Sequence, residues 1–227
     1  MKNEESNHYT FHYTLYTIMK ALILVDIQND FVKDGALAVP EGESIIPTVN
    51  ALQEDFDLIV ATQDWHPADH GSFAANHTEK QVGEVIDLHG LPQILWPVHC
   101  VQGSTGAEFV KELNMDKVEK VFVKGTDKTI DSYSGFFDNG RKKATGLGDY
   151  LKEKGVNEVY VVGLAADYCV KFTAMDAHSL GFTTYLVADA TKGVNLQKGD
   201  VEAAIEEMRA TGIHIVYSKE IAMKNEE

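Results

Sequence analysis

The feature that most constrains this chain is a rhythm. Six short runs rich in aliphatic and β-branched residues recur over 21–25, 58–61, 120–123, 158–162, 183–187 and 213–217. Between them lie segments with helical character, over 45–54, 107–113, 145–154, 168–180 and 200–211. Several runs are apolar on successive residues, as suits strands buried on both faces. The last helical segment puts Val201, Ile205 and Met208 on one stripe, with Gly212 as a stop. Strands alternating with helices imply βαβ units, and so an α/β fold with a parallel sheet covered by helices. The 227 residues hold no internal repeat or low-complexity linker, so one domain is expected.

Met19 directly precedes the first run. Residues 1–18, polar, aromatic and Thr-rich, are therefore expected to be an extension outside the core. They lack the cationic start and continuous apolar stretch of a secretory signal. The domain is expected over 19–220, followed by a polar tail over 221–227. No apolar run approaches the roughly 20 residues of a membrane span. The only cysteines, Cys100 and Cys169, exclude a disulfide framework and favour a reducing compartment, so a cytoplasmic location is expected. The net charge of -15 argues against nucleic acid or an anionic membrane as partner. A small molecule is the expected partner, and the sequence leaves a homo-oligomer open.

Four reactive side chains stand at or just beyond strand ends. Asp26 ends the first run, Asp64 follows the second, Lys124 ends the third and Cys169 follows the fourth. In open parallel sheets, ligands bind beyond the carboxyl ends of the strands, so these four should converge. Taken singly, Asp26 could cap the next element and Lys124 could be a surface lysine; their joint placement carries the argument. Cys169 sits where a strand passes into a helix, and the helix N-terminus together with Lys124 is expected to favour its thiolate. Nucleophile, acid/base and charge stabiliser are the parts of covalent amide hydrolysis. Gly163, Ala165 and Ala166 would let backbone N–H groups approach a substrate, as an oxyanion hole requires.

The stretch from 63 to 106 breaks the rhythm and is rich in His, Pro, Trp and Gly. A loop this long in a compact domain is often functional. It carries Asp64-Trp65-His66, then His70, then His99. Asp-x-His with a third imidazole makes a donor set with open positions, suited to zinc, iron(II) or manganese. Phe31, Trp96 and Tyr133 are candidate walls for an aromatic ligand, with core packing as the plainer reading. No glycine fingerprint for a dinucleotide follows the first run.

With these residues assembled, the sequence resembles the nicotinamidases of the isochorismatase-like cysteine hydrolase superfamily. The motifs that carry the resemblance are VDIQNDF, TQDWHPADHGSFA, WPVHC, KGTD followed by YSGF, and VVGLAADYC. The resemblance implies a Rossmann-like three-layer sandwich around a six-stranded, mainly parallel sheet. It implies Cys169 as nucleophile, Asp26 as acid/base and Lys124 as charge-stabilising partner. A cis bond before Ala165 follows from it, with the Ala165 and Cys169 amides as oxyanion donors. One divalent metal is implied, zinc first and iron or manganese as alternatives, on Asp64, His66 and His99. Some members are similar in using a further histidine of the DWHP loop, and His70 stands near that position. The implied activity is hydrolysis of nicotinamide to nicotinate and ammonia through a thioester, in NAD salvage, with pyrazinamide as a second substrate. A sister cysteine hydrolase would need the triad without the metal set. A metal-binding or redox module without catalysis would give Cys100, beside His99, a role as ligand or redox thiol.

Overall fold

The computed structural model describes residues 18–224. All but the last residue of the 1–18 extension, and the end of the C-terminal tail, lie outside the described residues. Among the described residues eight strands form: β1 (Met19–Val25), β2 (Leu58–Asp64), β3 (Val85–Leu88), β4 (Leu91–Ile94), β5 (Val118–Lys124), β6 (Val156–Leu164), β7 (Thr183–Lys192) and β8 (His214–Val216). Six build one sheet in the order β5-β2-β1-β6-β7-β8, and every pairing in it is parallel. The strand order reverses between β1 and β6. That switch point is where a doubly wound sheet opens a crevice beyond its strand ends.

β1 explains the continuous apolar run. Ala21 to Val25 are all fully buried. Alternate side chains enter opposite layers, as the period of two dictates. Leu22 and Leu24 join one core with Ile46, Val49 and Leu52 of α1 (Ile46–Leu52). Ala21, Ile23 and Val25 join the other core. That second core is covered by α2 (Leu147–Glu153), α3 (Cys169–Ser179) and α4 (Asp200–Thr211). Each fully buried Leu or Ile in β1 is worth about 1.5–3 kcal/mol of transfer free energy. No helix among the described residues is long and apolar enough to cross a membrane.

Three features differ from expectation. The 107–113 segment is not a helix. It follows a short 3-10 turn, Thr105–Ala107, and is then held extended against the chain after β1, where Phe109 bridges Gln28 and the Val110 N–H donates to Ile27 O. Its backbone polar groups are satisfied by a distant segment, so an internal helical ladder is not needed. The 63–106 stretch is partly regular, because β3 and β4 form an antiparallel hairpin. His89 and Gly90 join these strands with φ +53 and +91, the left-handed pair that a two-residue hairpin turn demands. Finally, α5 (Ser218–Lys224) enters the expected tail, and Ile221 is buried in the first core. One apolar residue on a short amphipathic turn is too weak a periodic signal to read locally.

Gly163 lets β6 reach the crevice. Its φ is +115, and a Cβ there would stand 2.1 Å from Val25 O and 2.8 Å from Val25 N. Only glycine tolerates both the conformation and this approach of two backbones. Gly163→Ala is expected to lose about 2–5 kcal/mol from combined strain and overpacking. A shift in the denaturant midpoint at unchanged slope measures the loss. A midpoint equal to that of the parent would refute this account of the β1–β6 crossing.

Candidate active site

Asp26 is the first residue beyond β1 and has φ +49, a left-handed conformation that short polar side chains tolerate. Its backbone N–H donates to Thr62 O at 3.3 Å. Its carboxylate is fully buried, and Oδ1 accepts the Thr62 hydroxyl at 2.7 Å. Lys124 ends β5, its side chain fully buried. Its ammonium lies 2.6 Å from Asp64 Oδ1, 2.9 Å from Asp26 Oδ2, 2.9 Å from Ser132 O and 3.5 Å from Cys169 Sγ. Cys169 opens α3 and is buried. Acceptor atoms of Asp26, Asp64 and Cys169 lie within 4.8 Å of one another. The peptide before Ala165 is cis. In the turn that follows, the amides of Ala166, Tyr168 and Val170 donate to Lys192 O and Ala165 O.

The electrostatics of the cluster set its groups against one another. Burial pushes the Cys169 thiol up; Lys124 opposes this, and Asp26 and Asp64 reinforce it. The net result is a thiol held well above its ordinary range. Asp26 is itself raised, by burial first and by Asp64, against the pull of Lys124 and the Thr62 hydrogen bond. A carboxylate so raised is a better proton acceptor for the sulfur beside it. Burial opposes the charge on Lys124, but Asp26 and Asp64 hold it well above the usual lysine range. Asp64 is held far below the carboxylate range. Burial works against that, and Lys124 followed by His66 overcomes it.

The three expected metal ligands also meet. Donor atoms of Asp64, His66 and His99 lie within 4.8 Å of one another, and all three residues are buried. His66 Nδ1 is 2.8 Å from Gly125 O, and His99 Nδ1 is 2.7 Å from Pro97 O. A ring nitrogen facing a carbonyl must carry the proton, which leaves Nε2 of each ring as a ligand atom. Burial, and then His66, push His99 down to about 4, so it is a neutral donor. Gly125 makes the seat for His66, since a Cβ there would lie 2.3 Å from the ring. This mixed carboxylate and imidazole set fits a divalent ion of the zinc, iron(II) or manganese kind. His70 packs 4.3 Å from the His66 ring. Its Nδ1 accepts the Ser72 N–H, its buried Nε2 makes no hydrogen bond among the described residues, and a donor atom of its ring lies within 4.8 Å of donor atoms of His66 and Asp131.

A pocket joins the two groups. Phe31, Trp96 and Tyr133 line it, as expected, beside Asp64, His66, His99, Ala165 and Cys169. Leu37, Asp131, Tyr168 and Val194 line it as well, and sequence reasoning gave them no role. The Tyr133 hydroxyl accepts Trp96 Nε1–H at 3.1 Å and Gln93 Nε2–H at 3.2 Å, which fixes the aromatic wall. Gln28 was also missed. It accepts the Asp64 N–H at 2.8 Å and donates to Asp64 O at 2.9 Å. In effect it extends the β1–β2 ladder by one side chain. Its place in the VDIQNDF motif was the available signal. Asp64 binds Lys124 through Oδ1 while Oδ2 lies 3.7 Å from His66 Nε2. The two constellations read separately in the sequence are therefore one network.

The isochorismatase-domain family model matches residues 20–220. A nicotinamidase of Escherichia coli (strain K12) is 48% identical over 198 residues, which are 85% of this chain and 92% of the relative. The solved structure of an Acinetobacter baumanii nicotinamidase and pyrazinamidase superposes with a TM-score of 0.87 at 46% identity, covering 89% of this chain and 97% of that one. A pyrazinamidase of Pyrococcus horikoshii, solved in complex with zinc, superposes with a TM-score of 0.71 at 42% identity, covering 87% and 98%.

Proposed function

The chain belongs to the isochorismatase family, and we propose that it is a cysteine amidase that hydrolyses nicotinamide to nicotinate and ammonia, and pyrazinamide likewise. The observation that carries this reading is the Asp64 carboxylate. It ties a Cys169–Asp26–Lys124 cluster to a metal-ligand set across one aromatic-lined pocket. A flat azine amide matches that pocket. Its ring lies between Phe31, Trp96 and Tyr133, and its carboxamide reaches Cys169. Asp64, His66 and His99 would hold the metal, which when bound supplies a Lewis-acid contact for the ring nitrogen and so orients the substrate.

In the mechanism, Asp26 accepts the thiol proton as Cys169 Sγ bonds to the carboxamide carbon. The carbonyl oxygen becomes an oxyanion and accepts the Ala165 and Cys169 N–H groups. Lys124 offsets the charge of Asp26 throughout. As the intermediate collapses, the C–N bond breaks, Asp26 gives its proton to the nitrogen and ammonia leaves. A thioester remains. Asp26 then takes a proton from water, the hydroxide adds to the thioester carbon and the C–S bond breaks. The proton on Asp26 returns to sulfur, and nicotinic acid departs and passes its own proton to ammonia or solvent, becoming nicotinate. A reaction that turns a pyridine carboxamide into the free acid belongs in NAD salvage.

Benzamide carries the same scissile group without a ring nitrogen, and it tests the reading directly. Its kcat/KM is expected to be roughly 100-fold or more below that of nicotinamide, since a site built around a polar substrate group rejects the analogue that lacks it. Chelation should weaken nicotinamide binding while Cys169 still reacts with a small alkylating reagent. Equal turnover of the two amides would point to a sister hydrolase of different substrate.

A further inference from the structure

Thr62 opens the TQDWHPADHGSFA motif and has no role in the readings above, yet it grips the acid/base from two sides. Its carbonyl accepts the Asp26 N–H at 3.3 Å, and its hydroxyl donates to Asp26 Oδ1 at 2.7 Å. Both residues are fully buried, so water does not supply a substitute donor from bulk. The hydroxyl has little freedom to turn away. Thr62 Cγ2 fills the space beside Gly135, where a Cβ would meet it at 2.6 Å. With the methyl fixed there, the oxygen faces Asp26. Oδ1 of the carboxylate is thereby occupied, and Oδ2 is left toward Lys124 Nζ at 2.9 Å. Oδ2 has no hydrogen bond from any other side chain among the described residues.

We propose that Thr62 is a positioning residue that fixes the Asp26 carboxylate so that one oxygen, Oδ2, is presented to the Cys169 thiol. Without this bond the carboxylate can rotate about its terminal torsion, which is broad for aspartate. Oδ1 then has no donor of its own and competes for Lys124. The proton route between sulfur and Oδ2 is populated for a smaller share of the time. Substrate contacts are untouched, since Thr62 does not line the pocket.

The inference rests on the amidase reading, so the test includes a readout that needs no substrate. Thr62→Val keeps the shape and removes the hydroxyl. It is expected to lower kcat about 10- to 100-fold, the share of a hydrogen bond to a charged group. KM and the affinity for nicotinate should stay within about twofold. The rate of Cys169 alkylation by iodoacetamide, which also needs the thiol proton removed, should fall in parallel. Thr62→Ser restores the hydroxyl and should recover most of both rates. If Thr62→Val alkylates and turns over within about twofold of the parent, the inference is overturned. It is equally overturned if Thr62→Ser, folded with parental thermal midpoint, stays as slow as Thr62→Val. If the parent does not release ammonia from nicotinamide yet the alkylation rates follow this order, the substrate assignment fails while the Thr62 role stands.

Discussion

Cys169→Ala is expected to lower nicotinamide turnover by at least about 10⁴-fold, with nicotinate still bound at close to parental affinity. Removing the nucleophile of a covalent hydrolase costs on the order of 10⁴ to 10⁶ in kcat, because the remaining groups act only around the bond that no longer forms. The fold should be unaffected. Cys169 Sγ accepts only a long 3.5 Å contact from Lys124, and removing it leaves the Asp26 and Asp64 contacts with Lys124 in place. Cys100 is the internal control. It is buried beside His99, and burial, reinforced by Asp64 and Asp30, holds its thiol far above the ordinary range. Cys100→Ala should therefore keep most of the activity. Ammonia release and nicotinate titration on both variants measure the contrast. Near-parental turnover by Cys169→Ala, or equal inactivation of both folded variants, would remove Cys169 from the mechanism.

The second large effect concerns charge. Lys124→Met is expected to abolish detectable turnover, on the order of 10³-fold or more, and to lower stability by about 3–5 kcal/mol, the cost of stripping the counter-ion from buried carboxylates. Asp26 and Asp64 both rely on this ammonium to stay ionised under burial. Without it, the Asp26 value, already raised, rises further, and that of Asp64 rises above its unfolded value. Groups raised in this sense favour the fold below the unfolded value and lose that contribution as pH rises through the folded value. The stability deficit should thus be small in acid and fully expressed at neutral pH. Chelator-treated protein, unfolded by urea at several pH values, gives the comparison. Adding Asp26→Asn to Lys124→Met should recover part of the stability and none of the activity. A deficit independent of pH would show that Lys124 contributes through packing of its stem instead of its charge.

Much of the fold was legible because its signals are local. Residues 21–25 are apolar at every position, and only a strand covered on both faces buries them all. The strand-end rule then located Asp26, Asp64, Lys124 and Cys169 at one edge, and the structure brings all four together. The segment at 107–113 was not legible, since its helical character loses to backbone bonds with Ile27, a partner far away in sequence. The β3–β4 hairpin escaped notice because four-residue strands carry too little alternation to stand out among His, Pro and Gly.

The sequence by itself determined the α/β architecture, the sheet edge at which the reactive side chains gather, their residue types and the aromatic residues beside them. Those follow from periodicity and residue identity, which each position carries with it. Only the tertiary structure decided how the groups act on one another. It made Lys124 the common partner of Asp26 and Asp64, pushed the Cys169 thiol above its ordinary range, and set Thr62, 36 residues from Asp26, as a donor to the Asp26 carboxylate. The reason is that protonation and hydrogen bonding depend on the sum of neighbours in a buried, weakly screened space. That sum is fixed by which strands lie side by side.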